Sequence, residues 1–352
     1  MGITLVGTAI ITLFLFFGLI ATKRQLEQLK NVKRQEDRER RKRLSKKLGY
    51  IKWGLGISFV VFAITGAMVL FGSNNHSNTN LEHTHGMGFS SDGKRLLIAA
   101  HDGLRAYEQG RWVIPEGAKH DYMGFSPVND GFYSSGHPDP GSSLNNPFGI
   151  VKSTDEGKAL KSLALDGETD FHNMAVGFAS HAIYVLNPQP NSKMDSEGLY
   201  YSTDEGSTWT KSEMSGVQEE PIVMAAHPSE PSIVAVGTPA AVYLSKDFGN
   251  QFEKIVSDGQ ITSLYFNQQG ELFVGGYQNK AFLQKVDLAN NQSEKLTIPV
   301  PTDDAVAYLA QNPVHENQLA LATFKNSVFV SDDKGSNWIM VADKGKTISA
   351  EE

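Results

Sequence analysis

Two long uncharged stretches open the chain, and a different pattern follows them. Residues 3–21 and 53–71 are each 19 residues without a charge. About 20 apolar residues are needed for a helix to cross bilayer hydrocarbon. The pattern therefore predicts two transmembrane helices, 1–22 and 51–72. From residue 82 onward the apolar positions come in short runs, such as 96–100, 272–276 and 319–323. Gly, Asp, Asn and Pro separate them. Such runs read as β-strands split by turns.

A motif recurs among these runs. Ser-x-Asp-x-Gly-x-x-Trp occurs at Ser202, Asp204, Gly206 and Trp209, and again at Ser331, Asp333, Gly335 and Trp338. A third copy has Ser245, Asp247, Gly249 and Phe252, and a weaker fourth has Ser153, Asp155, Gly157 and Leu160. Their first residues lie 49, 43 and 86 positions apart, and 86 is twice 43. A fixed period near that length means an array of like units, and four-stranded propeller blades have about that length. Decayed copies at 107–112 and 286–290 complete a ring. The expected fold is all-β, a six-bladed β-propeller over 82–352, with seven blades as the alternative count. In each copy the Asp carboxylate suits a tight turn, as an acceptor for backbone N–H groups. The Gly supplies a backbone angle that a Cβ would oppose. Asp155, Asp204, Asp247 and Asp333 are therefore expected to be structural.

The motif resembles the Asp-box, or BNR repeat, of sialidases, sortilin-type receptors and related propellers. That resemblance implies fold rather than chemistry. The stretch 81–198 also resembles a bacterial family of exported Asp-box propellers labelled glycosylhydrolase-like. The residues that carry the likeness include His83 to Gly86, His101 to Leu104, Lys119 to Ser126, Ser134 to Pro138 and Asn187 to Asp195.

The segment between the apolar runs changes the picture of topology. Residues 23–47 hold twelve Lys or Arg and four acids. Short basic loops stay in the cytoplasm. This predicts a basic cytoplasmic loop at 23–50, a polar linker at 73–81, and a propeller on the extracytoplasmic side of the cell membrane. A secretory signal peptide fits poorly, because no basic n-region precedes the first run. The basic segment is expected to meet anionic lipid rather than nucleic acid. The head keeps 19 basic and 35 acidic residues, a formal charge of about −16, which suits an exposed domain that avoids polyanions. Zero cysteines fits an exported domain that needs no disulfides.

Histidine placement supplies the candidate chemistry. Seven of the ten histidines lie between His83 and His181. In a blade, the start of the first strand and the turn between the second and third strands share one face, here the top. His83, His85, His120 and His172 precede first strands, and His101 and His137 fall in second-to-third turns. His181, His227 and His315 fall on the bottom. Carboxylates neighbour the top histidines. The expectation is that His85, His101, His120, His137 and His172 converge on a divalent transition metal, Zn or Cu. Asp102, Asp121, Asp139 and Asp170 would orient the rings or bind a ligand.

Two functions follow from different classes. One is a membrane-anchored module that binds a metal, a small ligand, a glycan or an envelope protein. The other is a glycoside hydrolase-like enzyme using top-face carboxylates. Sialidases are similar in clamping a carboxylate with three arginines from separate blades. Here the head has only Arg95, Arg105 and Arg111, all in or beside the first blade. A sialidase is therefore not expected.

Overall fold

The computed structural model of the chain describes residues 2–28, 35–70, 80–117, 119–257, 259–290 and 292–349, and, within the helices, the side chains of 15–28 and 40–58. It divides into two compact units, 1–75 and 76–352.

The first unit is a pair of helices, α1 (Gly2–Gln28) and α2 (Gln35–Leu70). They touch through glycines: an added Cβ on Gly54 would lie 3.5 Å from Leu15, and one on Gly18 would lie 3.8 Å from Ile51. The basic segment, expected as a loop, is helical at 23–28 and 35–50. Lys, Arg, Glu and Gln dominate it, and all four are strong helix formers. Among the described residues, no helix is long and apolar enough to cross a membrane. Most of the two expected spans, 3–14 and 59–71, falls outside the described side chains. The linker expected at 73–81 falls outside the described residues up to 79.

The second unit is a six-bladed propeller. Its sheets cover 84–113, 121–164, 174–211, 223–256, 260–296 and 306–347, here blades 1 to 6. Five are four-stranded antiparallel sheets, and blade 6 carries a fifth strand. The six inner strands neighbour one another in a closed ring. Six hydrophobic cores lie between blades, one at each blade–blade interface. The second strand of blade 1 (Leu96–Ala100) shows why its sequence is an unbroken apolar run. Successive side chains point to opposite faces of a strand. Leu96 and Ile98 enter the core shared with blade 6, while Leu97 and Ala99 enter the core shared with blade 2. Both faces are buried, so no position is left for a polar residue.

Ring closure uses the start of the propeller. The Leu81 amide donates to the Gly345 carbonyl at 2.7 Å, and Asn80 bridges to Lys346. The propeller thus begins two residues before the expected boundary. Buried Trp112 of blade 1 donates from Nε1 to the Val341 carbonyl of blade 6 at 2.7 Å.

The four Ser-x-Asp-x-Gly repeats share one turn, between the third and fourth strands of blades 2, 3, 4 and 6. In blade 3 the Ser202 hydroxyl donates to Asp204 Oδ1 (2.8 Å) and accepts from the Gly206 amide (2.9 Å), and Asp204 accepts from the Thr208 amide (2.9 Å). The copies at Asp155, Asp247 and Asp333 repeat these bonds. Each Gly, and the residue before it, has positive φ, for example Gly206 at 82° and Glu205 at 55°. The backbone bonds hold the Asp204 carboxyl below the usual carboxylate range.

Candidate functional site

Asp121 opens the first strand of blade 2 (Asp121–Val128) and stands opposite His137 of the second strand (Gly131–His137). The neighbouring Gly136 permits this approach. Its φ is 125°, and a Cβ there would lie 2.1 Å from the Asp121 carbonyl oxygen. Asp121 is nearly buried, at 8 % exposure. Two imidazoles from blade 1 reach it. His101, in the second-to-third turn, places Nδ1 2.8 Å from Oδ2. Its amide is held by the Glu82 and His83 carbonyls at 3.2 and 3.1 Å. His85, on the first strand (Thr84–Phe89), places Nε2 3.4 Å from Oδ1. That contact lacks hydrogen-bond geometry, so His85 Nε2 and Asp121 Oδ1 are both buried without a hydrogen-bond partner.

These three residues bring ligand atoms within 4.8 Å of one another, the one such group among the described residues. Two imidazole nitrogens and a carboxylate oxygen match the donor set of Zn or Cu. Buried polar atoms are normally paired, and two orphans facing each other fit a shared ion. Burial lowers the His85 pKa, and the imidazoles of His101, His172 and His83 push the same way against Asp121. A neutral ring is the form that ligates.

A second carboxylate repeats the design one blade on. Asp170 lies 3.2 Å from His137 Nε2 and 3.6 Å from His172 Nδ1. His137 Nδ1 is also 2.7 Å from Asn146 Oδ1. This group is looser than the first. The five expected ligands therefore do not converge on one ion. His85 and His101 meet on Asp121, and His137 and His172 meet on Asp170.

His120 joins neither pair. Its ring is 3 % exposed, packed edge-on against Tyr122 and Phe148. Its Nδ1 accepts from the Asp139 amide at 2.9 Å. Burial lowers its pKa, with Asp139 opposing. Asp139 caps the Gly141 amide at 2.8 Å. Asp102 is paired with buried Arg105 at 2.5 Å. Neither acid is placed in the His–Asp clusters. Arg95 is engaged by Glu108 and Glu156 at 2.6 and 2.5 Å.

The central channel runs beside these clusters. Its volume is about 520 Å³, and His85 and His172 line its top. Met87, Met174, Met224, Phe125, Leu264 and Tyr308 are among its walls, and its lining includes no Asp, Glu, Lys or Arg.

A further polar network, missed from sequence, sits on the opposite face between blades 2 and 3. Lys152, 8 % exposed, reaches Asp130 and Glu205, both at 2.9 Å. Tyr133 donates to Glu205 at 2.9 Å and lies 2.9 Å from His181 Nδ1. The Lys152 and Tyr133 bonds hold the Glu205 carboxyl down at about 2. Burial pulls the Lys152 ammonium down, yet its bonds to Asp130 and Glu205 leave its pKa raised. Its charges are mutually paired, so the network reads as an interblade clamp. Its members are up to 75 residues apart, and only the Lys and Glu residue types hinted at it.

No family model matches the chain, and no characterised protein matches its sequence. Solved structures do match in shape. A GH74 enzyme of Niastella koreensis is 16 % identical with a TM-score of 0.51, covering 76 % of this chain and 46 % of that one. The chain thus spans less than half of that enzyme. A protein of Xanthomonas campestris described as a gluconolactonase is 13 % identical with a TM-score of 0.51, covering 70 % of this chain and 84 % of that one. At these identities the likeness is one of fold, a propeller shared with hydrolases.

Proposed function

We propose that this protein is a metal-binding propeller, held at the cell membrane with its head on the extracytoplasmic side. It would capture a divalent transition ion, Zn or Cu, with His85, His101 and Asp121. The observation that carries this reading is the convergence of those three groups, with two of their polar atoms buried and unpartnered. His101 is open to solvent, with 63 % of its side chain exposed. Three protein ligands with one open side leave a position for a further ligand. That position would take a small molecule, a glycan or a side chain of an envelope protein. The pair on Asp170 would contribute to the same face.

Membrane anchorage rests on the uncharged runs and the basic segment between them. Phe16, Phe17, Tyr50, Trp53 and Ile57 are exposed on the helix pair. Tyr50 and Trp53 stand where the basic segment meets an apolar run, as in an interfacial aromatic belt. The other reading, a glycoside hydrolase, requires two carboxylates about 5–10 Å apart across the substrate. The channel walls offer none, and Asp121 and Asp170 are engaged by histidines.

Elemental analysis of the full chain, purified without a His tag, tests the binding reading. One zinc or copper per chain is expected, lost in His101→Ala. Absence of stoichiometric metal, together with no uptake on titration, would overturn it. Protease added to intact spheroplasts tests the topology. Release of the head is expected, and protection of the head with cleavage in the basic segment would invert the orientation.

A further inference from the structure

The channel changes character from one end to the other. At or just past the lower ends of the six first strands stand Phe89, Pro127, Phe178, Pro228, Phe266 and Pro313. Each blade gives one, Phe alternating with Pro around the ring, and all six line the channel. The lower end is thus an apolar collar. Ser126, Gln268 and Gln311 also reach it. Ser126 donates to the Gly124 carbonyl (3.2 Å) and Gln311 to the Glu316 carbonyl (2.7 Å).

The upper end is different. The register shift between Thr84 and Gly86 leaves His85 at a bulge, and a bulge re-aims a side chain. Among the described residues, His85 Nε2 is the one buried, unpartnered side-chain atom that belongs to the channel lining. Ile222 and Phe324 line the same channel while 38 % and 61 % exposed. Ile222 precedes the first strand of blade 4, and Phe324 follows the second strand of blade 6, so both stand at the top mouth.

Length and width define the occupant. The first strand of blade 5 (Gln260–Phe266) runs from the mouth to the collar, roughly 20 Å at about 3.3 Å per residue. A volume of about 520 Å³ over that length makes a slender tube. Volume and apolar walls are those of small-molecule sites, where a few polar groups fix orientation. Met87, Met174 and Met224 in the wall are flexible side chains that conform to irregular neighbours. A slender apolar tube with its orphaned polar atom at the mouth fits an unbranched chain with one polar head.

We propose that the channel holds the alkyl chain of an unbranched fatty acid, its tail against the Phe–Pro collar. The carboxylate takes the open position of the metal on His85, His101 and Asp121. Carboxylate oxygens are ordinary zinc ligands. The ion supplies the positive charge that the channel walls lack, without which a carboxylate would lose its hydration uncompensated. Placement of the head rests on the metal-binding reading above, whereas placement of the tail does not. A water-filled gap is the ordinary content of a propeller channel, and it predicts no dependence on chain length.

The test uses the full chain without a tag, loaded with Zn(II) and freed of excess metal. Calorimetry is run with hexanoate, octanoate, decanoate and dodecanoate, each below its micellar concentration. One site per chain is expected, with affinity rising about fourfold per added methylene. The methyl ester of dodecanoate should bind about tenfold more weakly than the acid. Excess chelator should abolish that preference. Ala307, at the bulge of the first strand of blade 6, lines the lumen. Ala307→Trp should therefore weaken dodecanoate by about tenfold or more and keep Zn(II) uptake. Phe324→Ser, at an exposed position, should weaken dodecanoate by about tenfold with an unchanged melting temperature. Zn(II) uptake without dodecanoate binding, affinity independent of chain length, equal binding of acid and ester, or wild-type affinity in both variants would each overturn the proposal. Each of these leaves the divalent reading standing. Failure of wild type to take up Zn(II) would overturn the divalent reading and, with it, the placement of the carboxylate.

Discussion

Asp121→Asn separates a binding role from a structural one, because the two roles predict opposite effects on the metal-free protein. Asp121 is 8 % exposed, and its Oδ1 has no hydrogen-bond partner. A buried acceptor left unpaired costs about 1–3 kcal/mol, and a charge raises that cost. Asn keeps the shape and still accepts from His101, whose Nδ1 is 2.8 Å away. It removes the buried charge. The metal-free variant should therefore equal wild type or exceed it by up to about 1 kcal/mol. For a domain of this size that is a rise of about 2–4 °C in melting temperature. Metal binding should move the other way. Loss of the one anionic ligand should weaken Zn(II) by about 100-fold, which is about 2.8 kcal/mol at 1.4 kcal/mol per decade. Differential scanning fluorimetry in excess chelator reads the first quantity, and competition with a chromophoric zinc chelator reads the second. Unaltered zinc affinity would refute the ligand role. A metal-free melting temperature lowered by more than about 4 °C would show that Asp121 is a clamp on the two histidines instead.

Three further outcomes follow. His120→Ala should lower the melting temperature and leave Zn(II) affinity unchanged, because its ring fills an aromatic cage and its Nδ1 caps the Asp139 amide; weakened zinc binding in a variant that melts like wild type would place His120 in the site after all. Asp247→Ala removes an acceptor for Ser245 Oγ (2.7 Å) and the Gln251 amide (2.9 Å). It should cost about 1–2 kcal/mol by thermal melting, with metal binding intact. Acid should destabilise the metal-free head, because burial lowers the pKa of His85, His120, His181 and His227 below the ordinary 6.5. The unfolded chain then takes up protons first, so stability is complete above about pH 7 and falls as the pH drops through 6.5. A melting temperature that stays flat from about pH 7.5 to 5.5 in chelator would contradict this.

The propeller and its two faces are legible in the chain alone. The Ser-x-Asp-x-Gly turn is built from bonds within seven residues, so its chemistry is local, and its period sets the blade length. Apolar runs such as 96–100 are legible because both strand faces are buried between blades. Strand connectivity alone then assigns His85, His101 and His137 to one face. Which of these residues meet is set by how the blades pack. His85 and His120 both precede or open an inner strand, yet one faces the channel and the other an aromatic cage. The difference follows irregular register: the pairing shifts between Thr84 and Gly86 in blade 1 and between Met123 and Ser126 in blade 2. A one-residue shift turns a side chain to the other face of the sheet, and nothing in a period of two foretells it. The Lys152 clamp was hidden for a related reason. Asp130, Tyr133, His181 and Glu205 come together only when blade 2 packs on blade 3, and no local spacing records that contact. The helical basic segment shows a third limit. Charge marks which residues avoid an apolar environment, while backbone propensity decides that they form a helix there.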